Sequence, residues 1–354
     1  MPDLREVFEM VKQQTEPDLD SWVEQERRLR GAARNRKIGA YALVAALAVG
    51  AFVFLTYDPR SDDGGAIPAT DPETIAPPVE EVGFALYELG TGELTYTGII
   101  GSSSAVDVSP DGTKIAYVDS ESGTGDTVHV ANVDGSDVQV FDRTNAAGEA
   151  KAPRWSPDGT KIVYQGKPTN QEIGNLFVLD VTTGRSERIT DLEPVTAGIW
   201  WMAPTFSPDG QTVYFNKPRR VGIGGSDDGQ RWDVWSVSVS GGEPTLVRQN
   251  AFGVDVSPTG DAIAYSEALN VDGELTVGDL YMARPDGSGA RKVADAPADF
   301  PRWSPDASQI AYEGADNELH IIDVETGAIE RYPDATGWTE WVDADTLMIE
   351  VGVA

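Results

Sequence analysis

The stretch Trp155-Ser156-Pro157-Asp158-Gly159, followed by Lys161-Ile162-Val163-Tyr164, decides the fold because variants of it return along the C-terminal three quarters of the chain. Pro sets φ near about −65° at the second turn position, and Gly supplies the positive φ that a tight reversal requires. The residues after the turn alternate in the manner of a strand. The stretch therefore predicts a tight turn between two antiparallel strands.

Copies of this turn recur at a nearly constant spacing. The other Ser-Pro copies begin at Ser109, Ser207, Ser257 and Ser304, so that successive serines, with Ser156 included, lie 47, 51, 50 and 47 residues apart. A degenerate sixth copy occupies residues 341–345 and is followed by an apolar strand at 347–349. A period of this length is typical of a propeller or a solenoid.

The distribution of hairpins indicates how the repeats are joined. Patterns for an outer strand pair recur near residues 84–97, 128–141, 176–190, 233–247, 279–293 and 319–332. The first pair precedes the first Ser-Pro turn, and the last copy has inner strands only. Joining the two ends would complete one unit and leave no unpaired sheet edge. We predict an all-β fold over residues 83–354, a six-bladed β-propeller closed two strands plus two.

The repeat resembles that of the TolB-like, or WD-like, propeller family. That repeat pairs an aromatic-Ser-Pro-Asp-Gly turn with a strand of the Ile-Ala-Tyr type, as in Ser109 to Tyr117 and Trp303 to Tyr312. The resemblance covers residues 83–354 and implies the fold. It implies little about function, because the repeat serves periplasmic binding proteins, secreted lyases and the lid domains of serine peptidases. TolB itself has an additional α/β domain and a cleaved signal, in place of which this chain has an apolar segment and a stalk, so TolB's lipoprotein partner is not implied.

Residues 38–57 predict a single transmembrane helix. They are 20 consecutive residues without a charge, which as a helix would span about 30 Å. Six Arg and Lys residues precede them between positions 27 and 37, so the tail at 1–37 should stay in the cytoplasm and the propeller should lie outside the cell membrane. A cleaved signal peptide is the alternative, but the charged region before the apolar run is too long for one.

Two further segments flank this helix. Residues 58–82 contain five prolines among acidic and small residues, a composition that predicts an extended stalk. Residues 1–36 carry two amphipathic helical patterns separated by Pro17. They are interpreted either as a weakly ordered tail or as a docking site for a cytoplasmic partner.

Composition excludes several function classes. The net charge of −31 repels nucleic acid. The chain has no Cys, and its two histidines, His129 and His320, both fall in predicted third strands as packed blade residues. We therefore predict no metal and no cofactor. With no Gly-x-Ser-x-Gly motif present, we expect a protein that is not an enzyme.

The residues just before each Ser-Pro turn form the first candidate site. One position before the serine every copy is apolar, and two positions before it none is. The polar set is Asp107, Arg154, Thr205, Asp255, Arg302 and Glu340. Because alternate strand residues point in opposite directions, the polar set should line a central channel, with opposite charges on adjacent blades. This channel ring is interpreted either as internally paired or as a pocket for a peptide terminus or small ligand.

The second candidate site lies on the face with the longer connections. The turns between first and second and between third and fourth strands are uniformly tight, whereas the opposite connections are long and irregular, and binding residues concentrate on such loops. Trp200 and Trp201 are candidate interface anchors there, and Arg219 and Arg220 form a basic pair. Interblade packing of the tryptophans and a solvated basic loop are the alternatives.

Three functional hypotheses follow. The first is a membrane-anchored propeller that binds a protein or peptide outside the membrane. The second is a transmembrane regulator that couples the propeller to a cytoplasmic partner of residues 1–36. The third, the least favoured, is a lyase or glycosidase that uses Asp107, Asp255 or Glu340.

Overall fold

The computed structural model describes residues 82–101, 106–119, 127–141, 149–167, 174–192, 202–220, 230–271, 274–333, 335, 337 and 339–352. All of them fall in one compact unit, Thr70–Ala354. The predicted tail at 1–37, the membrane segment at 38–57 and nearly all of the stalk at 58–82 lie outside the described residues. Within the described ranges, no helix has the length and apolarity needed to cross a membrane.

The described residues form strands and no helices. In the first half of the chain the strands are β1 (Val82–Glu88), β2 (Leu94–Gly101), β3 (Val106–Val108), β4 (Lys114–Asp119), β5 (Thr127–Asn132), β6 (Gln139–Val140), β7 (Glu149–Trp155), β8 (Lys161–Lys167), β9 (Asn175–Asp180), β10 (Arg185–Arg188) and β11 (Thr205–Phe206). In the second half they are β12 (Thr212–Arg220), β13 (Gln230–Ser238), β14 (Thr245–Gln249), β15 (Ala251–Val256), β16 (Ile263–Val271), β17 (Glu274–Ala283), β18 (Arg291–Trp303), β19 (Gln309–Gly314), β20 (Leu319–Asp323), β21 (Ile329–Tyr332), β22 (Thr339–Trp341) and β23 (Thr346–Gly352).

These strands pair into antiparallel sheets in which chain neighbours lie side by side. Three sheets have four consecutive strands each, β3 to β6, β7 to β10 and β11 to β14. A seven-stranded sheet runs from β15 to β21. Its long strand β18 pairs with β17 as far as Pro297 and with β19 from Ala298 onward, so that one strand serves two four-stranded groups.

The last sheet combines strands from both ends of the described chain. Its order is β2-β1-β23-β22, and β1 pairs with β23 along its whole length, from Val82 with Gly352 to Glu88 with Thr346. The outer pair therefore comes from the start of the described region and the inner pair from its end.

Apolar side chains pack between successive sheets. A representative cluster joins Val118 and Val130 of one sheet to Trp155 and Ile162 of the next. Each second strand carries a fully buried residue at its start, as at Ile115, Ile162, Ile263 and Ile310, and burial of one such side chain contributes about 1.5–3 kcal/mol. Both faces of these strands are apolar because each sheet is covered on both sides. The predicted all-β propeller fold is confirmed.

The Ser-Pro turns share one hydrogen-bond pattern. Ser156 Oγ donates to Asp158 Oδ1 at 2.6 Å and accepts from the Lys161 N–H at 2.9 Å. Gly159 closes the turn with φ of 67°, which is why glycine stands there. In the copy at Ser257 the turn aspartate is replaced by threonine, and Asp261 takes over the serine hydroxyl at 2.9 Å.

Candidate functional site

The inner strands of the sheets converge on one another. Contacts run in succession from β3 to β7, β11, β15, β18 and β22, and β22 returns to β3. All six members of the channel ring are buried, with exposures from 2% at Arg302 to 8% at Glu340. The apolar residues one position before each serine lie instead in the clusters between sheets, as predicted.

Arg154 is the centre of the channel ring. Its Nη1 donates to Asp107 Oδ1 at 2.9 Å and also to Glu340 Oε2. Its Nη2 lies 3.5 Å from Asp255 Oδ1. One guanidinium on β7 thus holds carboxylates of β3, β15 and β22. Its planar array of five donors allows such multiple contacts, which a lysine could not reproduce.

The remaining members of the channel ring attach to the same carboxylates. Arg302 Nε donates to Glu340 Oε2 at 3.1 Å, and Thr205 Oγ1 donates to Asp255 Oδ1 at 3.1 Å. The second carboxylate oxygen of Asp255 accepts the Trp303 N–H at 2.8 Å, and Asp107 accepts the Trp155 N–H in the same way. The six residues therefore form one continuous polar network.

Burial dominates the electrostatics of this network. It raises the pKa of Asp107 to about 7, with Glu340 adding to the rise and Arg154 opposing it. Burial acts to lower the pKa of Arg154, but Asp107, Glu340 and Asp255 outweigh it and raise the pKa overall. For Arg302, burial and the neighbouring Arg154 lower the pKa. Both arginines keep their charge at neutral pH.

Sequence reasoning brought together the right six residues but only part of their pairing. Of the three expected neighbour pairs, Asp107 with Arg154 and Arg302 with Glu340 form ion pairs. In the third, Asp255 acts electrostatically on Arg302. The contacts of Arg154 across the ring with Asp255 and Glu340 were missed. A strand pattern reports which way a side chain points but not how far it reaches, and a long arginine side chain can cross a narrow channel.

The loop-face candidates are only partly described. Trp200 and Trp201 lie outside the described residues, as does the side chain of Arg220. Arg219 is anchored, since its Nε donates to Asp233 Oδ2 at 2.7 Å and Asp233 is fully buried. Beside it, Lys217 Nζ lies 4.8 Å from the centre of the Trp235 ring, a cation–π contact.

Two hairpins on this face are longer than the others. Strands β12 and β13 have nine residues each, and β16 and β17 have nine and ten, whereas β4 and β5 have six. β13 packs against β16 and β17. An additional apolar cluster supports them, with Trp232 and Phe252 5.5 Å apart between ring centres and Phe252 and Phe300 5.3 Å apart. The sequence pattern did not predict this supporting cluster.

The tight-turn face also has concave surface. A cleft of about 460 Å³ between the turns at Ser109 and Ser156 is lined by Lys114, Phe141 and Trp155. A second cleft of about 420 Å³ lies between the turns at Ser156 and Ser207. The sequence predicted no site on this face. The clefts lie between the turns of neighbouring sheets, and their width depends on how far apart those sheets stand, which the sequence pattern does not report.

Both histidines occupy third strands, as predicted. His129 on β5 packs against Tyr117 with ring centres 5.2 Å apart, and His320 on β20 packs against Tyr312 at 5.3 Å. His129 Nε2 lies 3.0 Å from Thr127 Oγ1, and His320 Nε2 lies 3.0 Å from Asp316 Oδ1. Each imidazole therefore has a polar partner.

Comparison with known families and curated proteins gives two matches. The family described as the TolB β-propeller domain matches residues 102–281, just over half of the chain. An uncharacterized protein of Agrobacterium fabrum strain C58 is 26% identical over 153 residues, which are 40% of this chain and 47% of that protein. The chain thus spans about half the length of the curated relative it matches.

Solved structures are similar at low identity. A protein assigned as TolB from Agrobacterium tumefaciens superposes with a TM-score of 0.60 at 18% identity, over 77% of this chain and 99% of that one. TolB from Acinetobacter baumannii gives 0.51 at 17% identity, over 73% and 64%. Hydrazine synthase of Kuenenia stuttgartiensis gives 0.54 at 14% identity, over 77% and 47%. At these identities the likeness concerns the fold alone.

Proposed function

The chain belongs to the TolB β-propeller domain family, and from this premise we propose that it is a membrane-anchored, extracytoplasmic binding protein rather than an enzyme. Its partner would be a protein or peptide that docks on the long-loop face. Residues 38–57 would form the anchor, with the tail at 1–37 in the cytoplasm and the stalk at 58–82 as spacer. Nucleic acid is disfavoured as a ligand by the net charge of −31.

The proposed architecture is a six-bladed ring closed by two strands from each end. The cyclic contacts of β3, β7, β11, β15, β18 and β22 support six inner strands. The pairing of β1 with β23 supports the closure. Such closure removes the unpaired edge that an open array of strands would present.

One observation carries the choice of the long-loop face. The hairpins β12–β13 and β16–β17 extend beyond the others and are supported by the cluster of Trp232, Phe252 and Phe300. The first of them carries Lys217, which lies over Trp235, and Arg219, whose charge is paired with Asp233. Arginine and aromatic residues are enriched among interface anchors, and we propose Trp200 and Trp201 as further anchors.

The channel ring is the weaker binding candidate. Its six residues hydrogen-bond to one another, which favours the internally paired alternative over a ligand pocket. The binding role of Asp107, Arg154, Thr205, Asp255, Arg302 and Glu340 stays a prediction. A catalytic role for these carboxylates is not proposed, because burial and the neighbouring Glu340 account for the raised pKa of Asp107.

The topology is tested by single cysteines, since the chain has none of its own. A cysteine at the exposed Thr182 should react with a membrane-impermeant maleimide in intact cells. A cysteine at Ser21 should react only after permeabilisation. Equal labelling of both before permeabilisation would refute the proposed orientation.

The binding face is tested by crosslinking from matched positions in native membranes. A photo-crosslinking residue at Lys217 should capture one defined partner, and the same residue at Lys161, half-buried on the tight-turn face, should not. Replacement of Trp200 and Trp201 by alanine should abolish that capture while leaving the thermal unfolding transition unchanged. Capture from Lys161 alone would move the site to the opposite face.

A further inference from the structure

The hairpin between β19 and β20 brings three metal-ligating side chains together. Asp316, Glu318 and His320 each offer one ligand atom, and these atoms lie within 4.8 Å of one another. His320 Nε2 is already 3.0 and 3.1 Å from the two oxygens of Asp316. Ligands of an ion bound at about 2.0–2.2 Å lie about 3–4.4 Å apart, so small side-chain adjustments would complete a coordination shell.

Gly314 leaves the space in which these atoms converge. A Cβ at this position would lie 2.6 Å from Asp316 Oδ1 and 2.8 Å from His320 Nε2. Any larger residue would therefore push the carboxylate and the imidazole apart. The absence of a side chain at Gly314 is a requirement of the site and not of the backbone, because no positive φ is recorded for this glycine.

The sheet of β3 to β6 has an equivalent histidine, His129, and the described residue two positions before it is Thr127 where His320 has Glu318. His129 pairs across the strands with Tyr117 as His320 pairs with Tyr312, and the sheet of β7 to β10 has Phe177 opposite Tyr164. The aromatic role of this position therefore needs neither an imidazole nor a carboxylate. His129 has Thr127 beside it, whereas His320 has Asp316 and Glu318.

The surroundings of the hairpin carry excess negative charge. Asp299 pairs across the strands with Glu313, and its Oδ1 is buried without a hydrogen-bond partner among the described residues. Burial and the charge of Glu313 raise the pKa of Asp299 to about 7, against smaller effects of the Phe300 N–H and Arg302.

The donor set consists of two carboxylates and one imidazole, and the Glu318 N–H also donates to Asp316 Oδ1 at 3.2 Å. Carboxylates beside an imidazole suit first-row transition metals rather than Ca²⁺ or Mg²⁺, which prefer oxygen ligands alone.

We infer that Asp316, Glu318 and His320 bind one divalent first-row transition metal ion, of the Zn²⁺ or Mn²⁺ class, at the tip of the β19–β20 hairpin. Three protein ligands leave open positions that water or a partner's carboxylate could fill. The β19–β20 hairpin joins a second and a third strand and so belongs to the long-loop face, but the site shares no residue with the proposed anchors Lys217 and Arg219 on the β12–β13 hairpin.

The test is calorimetric titration of Zn²⁺ into the full chain, purified without a histidine tag. His320→Phe is the main variant, since phenylalanine occupies the equivalent position at Phe177. Wild type should bind one ion. The affinity of the His320→Phe variant for Zn²⁺ should fall by more than about 10–100-fold, which is the loss expected when an outer-shell partner is removed. Asp316→Asn, which keeps the shape of the hairpin, should also weaken binding at least tenfold.

His129→Phe is the matched control, because it removes the other imidazole from the same stacked position. It should leave the affinity unchanged. Zn²⁺ should also raise the unfolding temperature of wild type and of His129→Phe but not of His320→Phe, since only a bound ion stabilises the folded state. No saturable binding by wild type, or equal binding by His320→Phe, would overturn the inference, as would a preference for Ca²⁺ over Zn²⁺.

Discussion

The Ser-Pro turns and the channel ring differ in how far apart along the sequence their hydrogen-bonded residues lie. In the turns, hydrogen bonds join residues two to five positions apart, as in Ser156 with Asp158 and Lys161, and the aspartate is exposed. In the ring, Arg154 and Glu340 are 186 positions apart and both are buried. The turns repeat one solution, whereas the ring combines six side chains that differ from strand to strand.

The two regions depend on residues at different distances along the chain. The polar groups of a turn hydrogen-bond within that turn. Each copy can therefore be predicted from its own residues, and its loss should affect only its own surroundings. A ring residue is satisfied only when residues from other sheets are in place, since Arg154 needs carboxylates from β3, β15 and β22. Substitutions in the two regions should therefore differ in size and in their dependence on pH.

The largest effect should follow loss of the ring's centre. Arg154→Met would leave Asp107, Asp255 and Glu340 buried around Arg302, and breaking a buried ion pair by removing one partner costs about 3–5 kcal/mol. Urea unfolding of the full chain measures this loss. Arg185→Met is the control, because Arg185 is 74% exposed and such changes usually stay within about 0.5 kcal/mol. Equal midpoints for the two variants would contradict the central role of Arg154.

The second effect concerns the pH dependence of stability. The pKa of Asp107 rises from 3.8 to about 7 on folding. The contribution of Asp107 to the free energy of unfolding is thus fully present below pH 3.8 and is lost as the pH rises toward 7. The free energy of unfolding falls by at most about 1.4 kcal/mol per pH unit on this account. The exposed Asp111 and Asp158 behave oppositely, because serine and threonine hydrogen bonds lower their pKa to about 2, so their contribution is lost as the pH falls below about 4.

Asp107→Asn should reduce, but not abolish, the decline in the free energy of unfolding between pH 4 and 7. Asp299, whose pKa also rises to about 7 on folding, contributes in the same direction. Unfolding free energies measured at several pH values test this, with Asp299→Asn as the matched variant. Each single change should reduce the slope, and the double change should reduce it further, with Glu313, whose pKa is also raised by burial, supplying part of the remainder. A slope that is unchanged in both single variants would refute the assignment.

Much of the fold could be predicted because its determinants are local. The turn at Ser156 needs Pro157 and Gly159, and the strand after it needs the alternation from Ile162 to Tyr164. The same signals return at every copy, so the period could be read from one chain. The degenerate copy at 341–345 was recognisable by its spacing and by the strand that follows.

The site was harder to predict because its determinants are not local. The pattern two positions before each serine correctly brought together Arg154 and Asp255, but their contact depends on the width of the channel. The acidic residues Asp299 and Glu313 gave no signal, since each is an ordinary polar position in its own strand. Likewise, Asp316 and Glu318 lie in the connection between β19 and β20, and His320 lies near the start of β20, so in sequence they resemble ordinary polar residues of a hairpin.

The smallest effect should follow loss of one turn aspartate. Asp158→Ala removes the acceptor of the Ser156 hydroxyl and of the Thr160 N–H at 3.0 Å, and net hydrogen bonds of this kind are worth about 0.5–1.5 kcal/mol. Asp261→Ala should cost a similar amount, although Asp261 stands two positions later in its copy, because it accepts from Ser257 and Thr259 instead. Thermal unfolding of both variants shows whether their losses of stability are equal. A cost for Asp261→Ala as large as that for Arg154→Met would mean that the copy at Ser257 depends on distant residues, and the division between local turns and a collective ring would fail there.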